Sequence, residues 1–324
     1  MRRGAAGQLF WYLFPTAKGE EVLHFLFVYQ HIFVGFFLYF MIRILLRSKS
    51  HWLLISSVIV SPVYLNFWVL NPQAYLRKEL LGFLSASYFV HQTLQNRGNP
   101  ARFVFGLFLF YFAILSHEAA IIFLPLILYT VYLDLKNATI GQREFKFRIL
   151  IFFSSTILLT LLSFQFRWLS SNFCYYLVEK GLGNRFCGEG GIAWAMRPEW
   201  WDSLWNQLPT TFAFYFPQLF LYFLLFLIPI MITAKWNGAK FLAVTTFFSL
   251  PIFVSSYDWG RWILVISVSI ILFSALSTFE RLSKVQLACL TLLLPSSLFY
   301  SIPYCCSTEF KRGLVDYLLS ILAS

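Results

Sequence analysis

The sequence predicts an all-α protein, a polytopic integral membrane helix bundle, and three observations carry that prediction. Of its 324 residues, 59% are hydrophobic and only 12% charged, whereas a soluble domain of this size is about a quarter charged. Apolar runs of about 20 residues, enough to cross a hydrocarbon core of about 30 Å, recur along the chain. The basic residues fall in the short gaps between those runs, so the formal charge of +11 reads as a positive-inside pattern. No stacking platform accompanies the charge, and a nucleic-acid partner is not expected. The 39 Phe, 17 Tyr and 11 Trp suit an apolar bundle with aromatic residues at its water interfaces.

Residues 1–21 form an N-terminal segment too short and interrupted for a secretory signal peptide. Residues 22–324 are expected to be a single transmembrane bundle. Its spans are expected at 22–46, 52–70, 78–95, 148–168, 209–233, 241–256, 262–279 and 285–303. The run 103–133 differs: as one helix it would be about 46 Å long, too long for the bilayer without severe tilt. Arg97 and Arg102 precede it, and Lys136, Arg143, Lys146 and Arg148 follow it. If both basic ends are cytoplasmic, the run must fold as a short helical hairpin with Ser116-His117-Glu118 at its tip. The total is then about 8 to 10 membrane segments.

The other basic loops agree with this arrangement. Arg43, Arg47, Lys49, Lys235, Lys240, Arg281 and Lys284 fall on the cytoplasmic side. The opposite side receives the 71–77 turn, the hairpin tip, the long 169–208 loop, the Ser255–Arg261 turn and the C-terminus. Arg2 and Arg3 are then placed outside, against the charge rule.

Three polar clusters converge on the non-cytoplasmic side. In "NPQAYLRKELLGF", Asn71-Pro72 makes a turn, and Arg77, Lys78 and Glu79 open the next helix. A helix N-terminus favours anions, and an arginine there can grip phosphate with two parallel N–H groups. Headgroup anchoring is the simpler use of the same cations. In "AILSHEAAII", His117 and Glu118 occupy a run where a charge costs about 2.5–3.5 kcal/mol at the bilayer centre. A hairpin tip reached by water lowers that cost, leaving His117 able to act as a general base or to hold a phosphate oxygen. A hydrogen-bonded packing pair is the alternative. In "SSYDWGRWILV", Asp258 and Arg261 lie three apart, with Trp259 between them, so they can share a helix face. They form either a capping ion pair or a phosphate- or sugar-binding arginine held by its aspartate, with the aromatics of the turn, Trp259 and Trp262 among them, stacking on a sugar ring.

Other patterns carry nothing. "GEGGIA" fits a dinucleotide-binding pattern without the strand it needs, and there is no phosphate-binding P-loop, HExxH or DxD. No metal or other cofactor is expected. Cys174 and Cys187 sit in the 169–208 loop and can form a disulfide if that loop faces an oxidising compartment; free thiols are the alternative.

"AYLRKELLGFLSAS", a basic loop and then "FAILSHEAAIIFLPLIL" resemble the EpsG-like, Wzy-type polysaccharide polymerases. In that family an arginine opens a helix and a histidine follows about 40 residues later. "GEEVLHFLFVY" looks like the family's glutamate stretch and "YDWGRW" like its later Asp-Gly-Arg turn. Family members usually carry more helix before the glutamate stretch, which implies a shortened N-terminus here. Lys78-Glu79 also replaces the usual Gln-Gly type of sequence, leaving the role of Glu79 open.

The resemblance implies a GT-C-like membrane glycosyltransferase at the outer face of a bacterial inner membrane. It would join polyprenyl-pyrophosphate-linked glycans alongside flippase and chain-length regulator proteins. It further implies that Arg77 and Arg261 bind pyrophosphate, that Asp258 orients Arg261, and that His117 or Glu118 serves as base or acceptor positioner. The rivals are a C-type glycosyltransferase using a polyprenyl-monophosphate donor, with Glu20-Glu21 as its acidic pair, a transporter or flippase for lipid-linked sugars, and a purely structural membrane subunit. A transporter predicts an inverted repeat, and none is evident.

Overall fold

A computed structural model of the chain describes residues 12, 20–47, 79–95, 98–165, 206, 209, 213, 240–250, 253, 259–276, 284, 288, 291, 300–301, 311–312 and 314–322. These residues are overwhelmingly helical. In chain order the helices are α1 (Glu20–Arg47), α2 (Glu79–Leu94), α3 (Pro100–Ser116), a 3-10 helix η1 (Glu118–Phe123), α4 (Leu124–Lys136), α5 (Gln142–Gln165), α6 (Lys240–Leu250), α7 (Trp259–Leu276) and α8 (Leu314–Leu322). One antiparallel pair of two-residue strands joins Tyr300–Ser301 to Lys311–Arg312. Among the described residues, two segments, Phe27–Arg47 and Ala119–Lys136, are long and apolar enough to cross a membrane.

α2 is the hub. It packs against α1, α3, η1, α4 and α7, and nearly every side chain from Glu79 to His91 is buried. A helix covered on all sides needs small residues where neighbours come closest, and α2 has Gly82, Ser85, Ala86 and Ser87. Phe83 sits between Phe37 of α1 and Phe123 of η1, with ring centroids 5.6 and 5.7 Å away. Buried hydroxyls turn back into their own helices: Ser87 donates to the Leu84 carbonyl, Thr130 to Ile127 and Ser267 to Ile263. That is the economical way to satisfy a polar group in apolar surroundings.

The expected break in the 103–133 run is present, and capping sets its limits. Asn99 accepts a hydrogen bond from the Ala101 N–H at 2.8 Å, and Pro100 opens α3, where a missing N–H is harmless. The helix therefore starts before the apolar run does. At the other end the His117 N–H closes α3 on the Ala113 carbonyl at 2.8 Å. The His117 backbone is then extended, with φ −159° and ψ 119°, and the helical path stops. Six residues of 3-10 helix follow, and α4 resumes with Pro125 in its first turn.

The two legs return to a common end. A Cβ on Gly98, just before α3, would lie 2.5 Å from the Thr139 carbonyl oxygen, just after α4. The legs are not short: α3 alone has 17 residues, about 25 Å of helix. Arg148 of α5 fastens this end, donating to the Gly98 carbonyl at 2.9 Å. It also pairs with Glu144, lies 3.9 Å from Asp134 and covers the Phe103 ring at 4.4 Å. The guanidinium is almost entirely buried.

α7 runs parallel to η1 and α4, with Trp262 beside His117 and Phe273 beside Tyr129, 4.9 Å between the latter ring centroids. Phe241 of α6 stacks on Phe273 at 4.1 Å. Large apolar side chains face outward from α1 and α5, among them Phe27, Phe36, Leu46, Leu150, Leu158 and Leu161.

The structure departs from the sequence expectation at the end of the 285–303 span. Tyr300–Ser301 is a strand there, and Pro303 close behind disfavours helical backbone at the preceding residue. The span 52–70, most of 209–233 and the 169–208 loop lie outside the described residues, single positions apart.

Candidate functional site

The site lies at the end of the bundle opposite Arg148. α2 and α3 are 16 and 17 residues long and joined by five residues, so the first residue of α2 meets the residue that ends α3. These are Glu79 and His117. Nε2 of His117 lies 3.2 Å from Oε1 of Glu79, with the two side chains only 8% and 3% exposed. Glu79 stands at the positive end of α2, with the ring nitrogen of His117 beside its carboxyl group.

His117 is held on both sides of its ring. Nδ1 accepts a hydrogen bond from the Ala119 N–H at 3.4 Å, capping the 3-10 helix that begins at Glu118. With Nδ1 as the acceptor, Nε2 is the ring nitrogen left to donate toward Glu79. This tautomer follows from the hydrogen-bond network. Trp262 meets the ring edge-on, with centroids 5.7 Å apart and planes inclined at 72°. Below the pair, a Cβ on Gly82 would come within 3.0 Å of the Phe123 ring.

Three sequence-derived clusters therefore contribute to one place: Glu79 from the first, His117 from the second, and the first turn of α7 from the third. The backbone of Trp259 and Arg261 opens α7, and Glu118 opens η1, while the side chains of all three lie outside what the structure describes. Arg77, Asp258, Cys174 and Cys187 also lie outside the described residues. Among the described residues no group of three or more His, Cys, Asp and Glu could hold a metal ion.

Two residues were under-read from sequence. The direct pairing of Glu79 with His117 rests on the near-equal lengths of α2 and α3, joined by residues 95–99, and no local sequence pattern marks it. Sequence places Trp262 only among the aromatics of its turn; its contact with His117 depends on the position of α7. No family model, curated protein or solved structure matches this chain.

Proposed function

We propose that this protein is a multi-pass polysaccharide polymerase of the bacterial inner membrane. It would join polyprenyl-pyrophosphate-linked oligosaccharide units at the outer face. The observation that carries this reading is the buried 3.2 Å contact between Glu79 and His117 beside the opening turn of α7. Arg77 is two residues before Glu79, at most about 7 Å along the chain, and Arg261 immediately precedes Trp262. Two cations are thus tethered to the same polar joint. The outward-facing Phe and Leu side chains of α1 and α5 suit contact with lipid chains.

In the proposed reaction an acceptor sugar hydroxyl attacks the anomeric carbon of the donor glycan. The new carbon–oxygen bond forms as the bond to pyrophosphate breaks, and the lipid pyrophosphate leaves with the electron pair. Arg77 and Arg261 would stabilise charge on the donor and acceptor pyrophosphates, and Asp258 would orient Arg261. The hydroxyl proton passes to a base at the hairpin tip, where His117 and Glu118 are the candidates. The leaving group is already activated, so the chemistry requires neither nucleotide nor metal.

The test is a gel ladder of surface polysaccharide in a deletion strain. Long chains should vanish on deletion and return with the native gene, but not with Arg77→Ala or Arg261→Ala. An unchanged ladder in the deletion strain would sink the proposal.

A further inference from the structure

We propose that His117 is a positioning residue rather than the base: it holds the Glu79 carboxylate through Nε2–H and the 3-10 turn through Nδ1. The geometry is the reason. One ring nitrogen lies 3.2 Å from Glu79 Oε1, and the other receives the Ala119 N–H. A base must offer a lone pair to the substrate, and the only lone pair in the ring plane is the one that caps η1. Turning the ring toward an acceptor sugar breaks that cap and withdraws the hydrogen from a carboxylate only 3% exposed. Trp262, packed edge-on and itself 3% exposed, stands against the ring's movement.

His117 also sits where the chain changes direction, with extended backbone between α3 and η1. One side chain thus fixes the end of α2, the turn of the hairpin and the approach of α7. In the proposed polymerase the acceptor's proton does not go to His117. The catalytic part of this inference rests on the polymerase reading; the state of the ring does not.

Two measurements separate them. Nitrogen NMR of the full chain labelled at histidine, in lipid nanodiscs at neutral pH, reads the ring directly. The His117 signals are identified among the five histidines by their loss in His117→Gln. The expected result is hydrogen on Nε2 and none on Nδ1; hydrogen on Nδ1, or on both nitrogens, would overturn the inference whatever the protein does.

The second measurement is the polysaccharide ladder with three variants. Asn at 117 can restore the cap and Gln can restore the donor to Glu79, but neither can serve as a base. Chain extension reduced by no more than about tenfold in His117→Gln, which keeps the donor to Glu79, against a far larger loss in His117→Ala, fits positioning, since one ordinary hydrogen bond is worth about that factor. Equal losses of about 10²- to 10⁴-fold in Asn, Gln and Ala, with normal amounts of folded protein, would identify His117 as the base instead. A deletion strain with an unaltered ladder removes the polymerase reading alone and leaves the NMR result standing.

Discussion

Gly106 is expected to tolerate no side chain, and three glycines in helices make this a controlled experiment. A Cβ at Gly106 would lie 2.7 Å from Phe89 Cζ and 3.0 Å from both of its Cε atoms. Ordinary carbon contacts begin at about 3.5 Å, so the ring would have to retreat by about 0.8 Å. It cannot do so freely, because Phe89 is buried with Phe152 at 5.4 Å and Phe103 and Tyr88 each at 6.2 Å. At Gly82 the conflict is milder, 3.0 Å to the edge of Phe123, and at Gly35 nothing lies within 4 Å. Replacing glycine by alanine within a helix gains about 1 kcal/mol at each position, whereas overpacking a filled core costs about 1–3 kcal/mol. The helix gain cancels between positions. Gly106→Ala should therefore unfold more easily than Gly35→Ala by about 1–3 kcal/mol, with Gly82→Ala between them. Unfolding of the purified protein in detergent, followed by loss of helical signal, measures the order. Equal stability of Gly106→Ala and Gly35→Ala would refute the close approach of α3 to Phe89.

Further expectations concern the two polar ends. Arg148→Met removes the partner of Asp134 and Glu144 and strands the Gly98 carbonyl. It should destabilise the protein by about 3–5 kcal/mol, the usual result of breaking a buried charge pair from one side. Arg148→Lys should recover only part of this, because a single ammonium cannot hold the carbonyl and the carboxylates together; full recovery in the same unfolding assay would contradict the bridging role. Asn99→Ala removes the cap of α3 and should cost about 0.5–2 kcal/mol, with Asn99→Asp close to the native value. For the Glu79–His117 pair, a double-mutant cycle with Glu79→Gln and His117→Gln should show a coupling energy of at least about 0.5 kcal/mol. Strict additivity would mean that the two side chains do not interact.

The hairpin was legible because it depends on coarse quantities, the length of an apolar run and the sign of the charges at its ends. Ser116-His117-Glu118 follows from those alone. Its limits at Pro100 and Lys136 were not, because they depend on Asn99 and Asn137 at the helix ends and not on apolarity. Pro125 was the overlooked mark of the break, since its ring interrupts the bonding of any continuous helix through 121–125.

Arg148 shows a different limit. A count of loop charges assigns it to the basic side but says nothing of burial, and the structure places its guanidinium inside the bundle. Glu79 and His117 are 38 positions apart in the chain, and no local pattern links them. Only the antiparallel return of two helices of nearly equal length brings them together. The site was thus legible as separate clusters, while their contact required the fold.

The polymerase proposal is tested most directly with the purified full-length protein in lipid vesicles. It would be supplied with a polyprenyl-pyrophosphate-linked oligosaccharide, and the products separated by chain length. Formation of glycans two or more repeat units long, with release of polyprenyl pyrophosphate and loss of both in Arg261→Ala, is the predicted result. Substrate left at one repeat unit by a folded, vesicle-inserted protein, under conditions where a known polymerase extends it, would contradict it.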